Sequence, residues 1–178
     1  MASVFSPSTS IAIAASSDRV FELLTDRTTW PTWNPFIPRA DLLPSTTLTP
    51  TPSSDDDGHL KLHQRLQFTV QAPIFGRPRI VPGGSVEKVS LLETPGADGV
   101  YRVGWVQDMM PAWLMRTLRV NEIVEEEADE DGEARCTYRT YMTFDGPFAW
   151  IVKFVVGAKV QEGLELWAKG LKDKAEGR

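Results

Sequence analysis

The sequence predicts a single α+β domain in which a curved antiparallel sheet is closed by one long C-terminal helix. Three observations carry this. Asp145-Gly146 is a turn signal, Pro147 follows where a first helical residue sits, and a helical pattern then runs unbroken to about Lys174. Proline suits that place because the first helical N–H groups lack an intrahelical partner anyway. Apolar or small residues recur at 150, 154, 157, 164, 168 and 171, the spacing of one helix face. Between Ile11 and Asp145 the pattern is one early helix and then short strands. Finally, 178 residues suit one domain, 1–178, with a sizeable core. A long helix laid on a curved sheet encloses an interior, so function turns on what that interior holds.

The elements follow in order. Ser10 to Ala14 reads as a first strand. Ser16 or Ser17 then caps a helix with Asp18 in its first turn, where a carboxylate meets the positive helix end. Val20, Phe21, Leu23 and Leu24 supply its apolar face. Trp30-Pro31-Thr32-Trp33-Asn34-Pro35 reads as a short broken helix, and Phe36 to Leu43 as a second strand. Residues 44–58 are a Pro, Ser, Thr and Asp run that buries little surface, expected to be a flexible insertion loop rather than a domain linker. Leu60 to Val70 alternates, with Leu60, Leu62, Leu66, Phe68 and Val70 on one face and Gln64 as its lone polar member. Ser85 to Glu93 and Val100 to Met109 form one expected hairpin; Leu118 to Glu127 and Glu133 to Phe144 form another.

Several function classes recede on composition. A net charge of −5 argues against a nucleic-acid partner, which needs clustered Lys and Arg. Cys136 is the only cysteine, so no internal disulfide and no Cys-based zinc site forms. His59 and His63 lack a third ligand, and the acidic runs 55–58 and 129–133 lack calcium-loop spacing. No metal site and no cofactor is expected. No apolar run reaches the ~20 residues that span a bilayer, so stable membrane insertion is not expected either. The reading is a soluble, cytoplasmic protein.

The order strand, two short helices, about six to seven antiparallel strands and a long helix resembles the helix-grip fold of the START-like, or SRPBCC, superfamily. Three segments carry the resemblance: Ser16 to Asp26 looks like its opening helix, Trp30-Pro31-Thr32-Trp33-Asn34-Pro35-Phe36 like its "hWxxWNPF" segment, and Gly146 through Leu164 like its closing helix. The resemblance is closest to the polyketide cyclase/dehydrase-like branch. It implies an internal apolar cavity for a hydrophobic small molecule. It also implies one of two activities: a cofactor-free cyclase, dehydratase or isomerase on a polyketide-like or other carbonyl-rich metabolite, or a non-catalytic carrier of a lipid, quinone or aromatic metabolite. Fold alone does not choose between them.

Strand alternation proposes the inward residues. They are Leu62, Gln64, Leu66 and Phe68; Tyr101, Val103, Trp105 and Gln107; Leu118, Val120, Glu122 and Val124; and Cys136, Tyr138, Thr140, Met142 and Phe144. The closing helix adds Trp150, Phe154, Gly157, Gln161, Leu164 and Ala168, and Trp33 and Asn34 sit at one end. Glu122 and Tyr138 are the catalytic candidates. A carboxyl in an apolar pocket has its charged form disfavoured, which lifts it into acid–base range, and Tyr138 on the facing strand could orient a carbonyl. The other reading of Glu122 is a solvated position beside Glu125 to Glu127. Gln64 and Gln107 would fix a carbonyl or hydroxyl, or bond each other or a buried water. Trp105 and Trp150 would stack on a flat ligand or fill the core. Asn34 either contacts ligand or ends the short helix. Asp108 to Arg116 is strongly apolar for a loop; a lid, a membrane-touching lip, a homodimer contact or hairpin packing all fit it.

Overall fold

The computed structural model describes residues 3–44, 56–74, 77–96, 98–127 and 132–178. The expected insertion loop and the 129–132 hairpin tip therefore lie almost wholly outside the described residues. Chain order is β1 (Ser8–Ile13), α1 (Ser17–Thr25), a single 3-10 turn (Trp30–Thr32), β2 (Arg39–Leu42), β3 (Arg65–Thr69), β4 (Gln71–Ile74) and β5 (Arg77–Ile80). Then come β6 (Ser85–Glu93), β7 (Val100–Gln107), β8 (Arg116–Glu126), β9 (Arg135–Asp145) and α2 (Phe148–Ala175). Among the described residues, seven strands form one antiparallel sheet in the order β1-β9-β8-β7-β6-β3-β2, and β4 pairs β5 separately. The sheet curls around α2 as a half-barrel, which is the helix-grip fold.

Local chemistry explains the frame. The Ser16 hydroxyl accepts from the Arg19 N–H (3.3 Å) and caps α1. Val20, Leu23 and Leu24 then turn its apolar face into the core. Asn34 Oδ1 accepts from the N–H groups of Phe36 (3.1 Å) and Ile37 (2.9 Å), so it ends the short helical turn. The sequence expectation of one strand over Leu60 to Val70 is corrected. His63 takes a positive φ of 69°, the chain turns there, and the ladder begins at Arg65. Leu62 is consequently exposed. The β4–β5 ribbon was not expected from sequence.

Glycines in α2 let the helix seat closely. A side chain at Gly170 would strike the Trp33 carbonyl oxygen, and one at Gly163 would overlap the Phe36 ring. Each glycine costs about 1 kcal/mol of helix propensity, and close seating offsets that loss. The half of α2 that contains them carries the buried Leu164, Trp167, Ala168 and Leu171.

Candidate functional site

The concave face of the sheet is set by pairing. Ile123 lies opposite Tyr138 and Asn121 opposite Thr140. Across β7, Arg119 lies opposite Trp105 and Asn121 opposite Val103. Cys136, Tyr138 and Thr140 of β9 and Tyr101, Val103 and Trp105 of β7 all point inward, as the alternation predicts. On β8 the phase is the reverse of the expectation. Thr117, Arg119, Asn121 and Ile123 are inside, and Leu118, Glu122 and Val124 are on the outer face.

Glu122 therefore does not enter the interior, which corrects the sequence reading. Its neighbours on the outer face are Arg102 and Arg139, directly across on either side. The Glu122 carboxylate lies 3.6 Å from Arg102 Nε and 3.9 Å from Arg139 Nη1. The misreading has a physical origin. Leu118, Val120 and Val124 make that face of β8 the more apolar one, yet β8 is sandwiched between strands whose inner phase is fixed by Trp105 and Tyr138. A one-residue slip would break both ladders.

Among the described residues, aromatic side chains pack the centre of the grip. The indoles of Trp30, Trp105 and Trp167 meet there, with ring centres 5.1 Å (Trp30–Trp167) and 5.9 Å (Trp105–Trp167) apart. Phe68 closes edge-on against Trp30 and Trp105. The Arg119 guanidinium lies over the Trp167 ring at 4.1 Å and beside Trp105 at 5.2 Å. A cation on indole faces is attracted by the ring quadrupole.

Around that guanidinium stands a chain of buried polar groups. Arg119 Nε donates to Thr140 Oγ1 (3.2 Å). The Tyr138 hydroxyl donates to Asn121 Oδ1 (2.7 Å), and Asn121 Nδ2 donates to the Val103 carbonyl (3.0 Å). Two donors remain over: Arg119 Nη2 and Trp167 Nε1 are buried and find no acceptor among the described residues. Unsatisfied buried donors are uncommon and cost about 1–3 kcal/mol each.

Glu87 is the interior carboxyl that sequence reasoning missed. It sits on β6 opposite Gln107, on the face shared with Val89, and is 7% exposed. Burial pushes its pKa up to about 7, while Ser85 and Arg119 pull the other way and Asp108 adds to the rise. Burial also raises the Tyr138 phenol and lowers the Arg119 guanidinium from their ordinary values. A signal for Glu87 existed: it shares the parity of Val89 in the strand from Ser85 to Glu93.

The remaining candidates fall in three places. Phe68, Tyr101, Trp105 and Trp33 are buried in the aromatic core; Tyr101 bonds Asp18 of α1, and Trp33 Nε1 donates to Thr29 Oγ1 (3.0 Å). Met142, half-buried, pairs with Arg119 across the ladder. Gln64, Gln107 and Gln161 are engaged with backbone. Gln64 Oε1 accepts from the Lys61 N–H (2.8 Å). Gln107 Nε2 donates to the carbonyls of Met110 (3.0 Å) and Met115 (2.8 Å), shaping the apolar loop. Gln161 Nε2 donates to the Ser8 carbonyl (3.0 Å), tying α2 to the edge strand. Gly157 is buried under the Phe5 ring. Trp150 and Phe154 point to solvent, which corrects their inward placement; α2 turns its Ala149–Gly157 side inward instead.

Two open depressions flank the grip. One, of about 640 Å³, runs between Pro31 to Asn34 and the Leu166 to Asp173 stretch of α2. The other, of about 360 Å³, lies among Phe21, His59, Leu60 and Leu92. Among the described residues, no cluster of three His, Cys, Asp or Glu side chains could hold a metal ion. No described helix is long and apolar enough to cross a membrane.

A half-barrel gripping a long helix around a buried polar cluster defines a START-type protein, and solved structures agree on the fold. A START superfamily protein of Mycobacterium smegmatis superposes with a TM-score of 0.58 at 18% identity, covering 97% of this chain and 97% of its own. Truncated norcoclaurine synthase of Thalictrum flavum gives 0.60 at 14% identity, covering 98% and 95%. Residues 5–176 match the family model described as polyketide cyclase / dehydrase and lipid transport, and the chain belongs to that family. A sequence relative is the oxopyrrolidines biosynthesis cluster protein O of Penicillium oxalicum, 26% identical over 95% of this chain and 85% of that protein.

Proposed function

We propose that this protein is a cyclase or dehydratase acting by acid–base chemistry on a carbonyl-rich small molecule. The observation that carries the reading is the inverted face of β8, which buries Arg119 and Asn121 and sends leucine and valine outward. Burying such groups costs stability, and stability alone gives no reason for it. A site that must hold developing charge does.

The chemistry follows from the groups. With a pKa near 7, Glu87 has both its forms populated near neutrality, the condition for taking a proton and returning it. As carboxylate it removes a proton from the carbon between two carbonyls. With the packed aromatic rings parted by the entering substrate, the enolate oxygen is met by Arg119 Nη2 and Trp167 Nε1. The enolate carbon attacks a second carbonyl of the same molecule, closing the ring, and the protonated Glu87 gives its proton to the resulting alkoxide. The carboxylate then takes the second proton from the same carbon and passes it to the new hydroxyl, which leaves as water as the carbon–carbon double bond forms. Tyr138, held by Asn121, orients the carbonyl. The apolar 109–115 segment, shaped by Gln107, borders the entrance. The biosynthesis-cluster assignment of the Penicillium relative supports a metabolite of that kind.

The test is incubation with a poly-β-ketone thioester mimic, followed by mass spectrometry. Loss of one water per molecule, abolished in Glu87→Gln and Arg119→Met, supports the reading. Tight binding of the mimic, or of a co-purified lipid or quinone, without conversion in the wild-type chain makes the protein a carrier instead.

A further inference from the structure

The N-terminal half of α2 presents a face that nothing in the described chain covers. Trp150, Ile151, Phe154 and Val155 are 50%, 53%, 79% and 71% exposed. Their spacing sets them on one stripe of the helix. The apolar loop is joined to the same end, because the Phe148 N–H donates to the Leu114 carbonyl (3.1 Å). That loop adds Trp113, at 75% exposure, and Met109, at 51%. Soluble monomers seldom leave large apolar side chains contiguous on this scale.

The charge at this end runs against the rest of the protein. The chain carries −5 overall, yet the only charged residues between Pro147 and Gln161 are Lys153 and Lys159, and between Met109 and Thr117 only Arg116. All three are exposed. Lys153 Nζ stands 5.2 Å from the Trp150 ring centre, at the margin of the stripe. Of the flanking acids, Asp108 is paired with Arg65 (2.5 Å) and Asp145 lies opposite Arg116 in the ladder.

We propose that this end docks peripherally on an anionic lipid surface. The aromatic stripe lies in the headgroup region, and Lys153 and Lys159 meet lipid phosphates. An interfacial helix of this kind joins an apolar face to flanking cations. A second copy of this chain is the poorer occupant. Two-fold pairing of the stripe would bring the lysines of one helix toward those of the other, and no acid in the stripe is there to answer them. The proposal does not depend on the interior chemistry, since Glu87, Arg119 and Tyr138 are buried and take no part in the exposed stripe.

Flotation of the full chain with phosphatidylcholine vesicles carrying about one-quarter phosphatidylserine tests it. The wild-type chain is expected to float with these vesicles and not with phosphatidylcholine alone. Lys153→Gln/Lys159→Gln should lower the vesicle partition coefficient about thirtyfold, and Trp113→Ser/Phe154→Ser should abolish flotation, with both variants keeping the wild-type circular dichroism. A wild-type chain that stays unbound in both vesicle types overturns the proposal. So does a concentration-dependent dimer, split by Phe154→Ser in sedimentation velocity, with no flotation.

Discussion

β8 and β9 are adjacent strands of eleven residues each, hydrogen-bonded along their whole length, and they spend their inner faces differently. β9 turns in Cys136, Tyr138, Thr140 and Phe144, mostly apolar surface. β8 turns in Thr117, Arg119 and Asn121 and leaves Leu118 and Val124 outside. One strand serves the core. The other accepts the cost of burying polar groups, and two of the donors in that cluster make no well-formed hydrogen bond among the described residues. The difference is what the proposed acid–base site rests on.

The comparison can be broken first on β9. Tyr138→Ala should cost about 3–5 kcal/mol in urea denaturation, because it removes a buried ring and leaves Asn121 Oδ1 without its donor. A loss under about 1 kcal/mol would mean that β9 is not the strand the core depends on.

Glu87 gives the next largest effect, through pH. Its folded pKa near 7 lies above the ordinary 4.5, so the folded state binds the proton more tightly. The resulting stability is fully present below about pH 4.5 and is lost as pH rises through 7, about 3 kcal/mol in all. Glu87→Gln should flatten that dependence in melts recorded from pH 4 to 8. A slope unchanged by the substitution would place the carboxyl in water.

Arg119→Met sharpens the contrast between the strands. Among the described residues Arg119 shows no salt bridge, so replacing it relieves the cost of a buried charge and gives up its contacts with Thr140, Trp105 and Trp167, and the two effects largely offset. Stability should move by about 1 kcal/mol at most, while turnover of the β-ketone mimic falls about a hundredfold or more. If stability collapses together with activity, Arg119 is a core residue only.

Glu122→Gln should do least. Its carboxylate bridges two arginines on the outer face, so stability should fall by about 1 kcal/mol or less, with turnover and ligand binding unchanged. A large loss of turnover here would return the acid–base role to the outer face and overturn the placement of the site.

Much of the fold was legible because local signals agreed. Ser16 capping α1, Asn34 ending the short turn, the strand from Ser85 to Glu93 and the helix after Pro147 each rest on a few neighbouring residues. The inward phases of β7 and β9 were legible because one parity of each strand is clearly the more apolar or aromatic. On β8 the same rule misled. Counting Leu118, Val120 and Val124 favours the wrong face, and it promoted Glu122 while hiding Arg119. Trp150 and Phe154 misled for a related reason: they are apolar at helical spacing, and spacing alone does not say which side of a helix finds a partner.

By itself the sequence determined the order of the main elements, the β4–β5 ribbon apart, with the closing helix and the aromatic content of the grip, since these follow from propensity, caps and periodicity within a few residues. Only the tertiary structure decided which carboxyl lies inside. Strand phase is fixed by hydrogen-bonded neighbours on both sides, and one residue of register turns a buried acid into a surface ion pair.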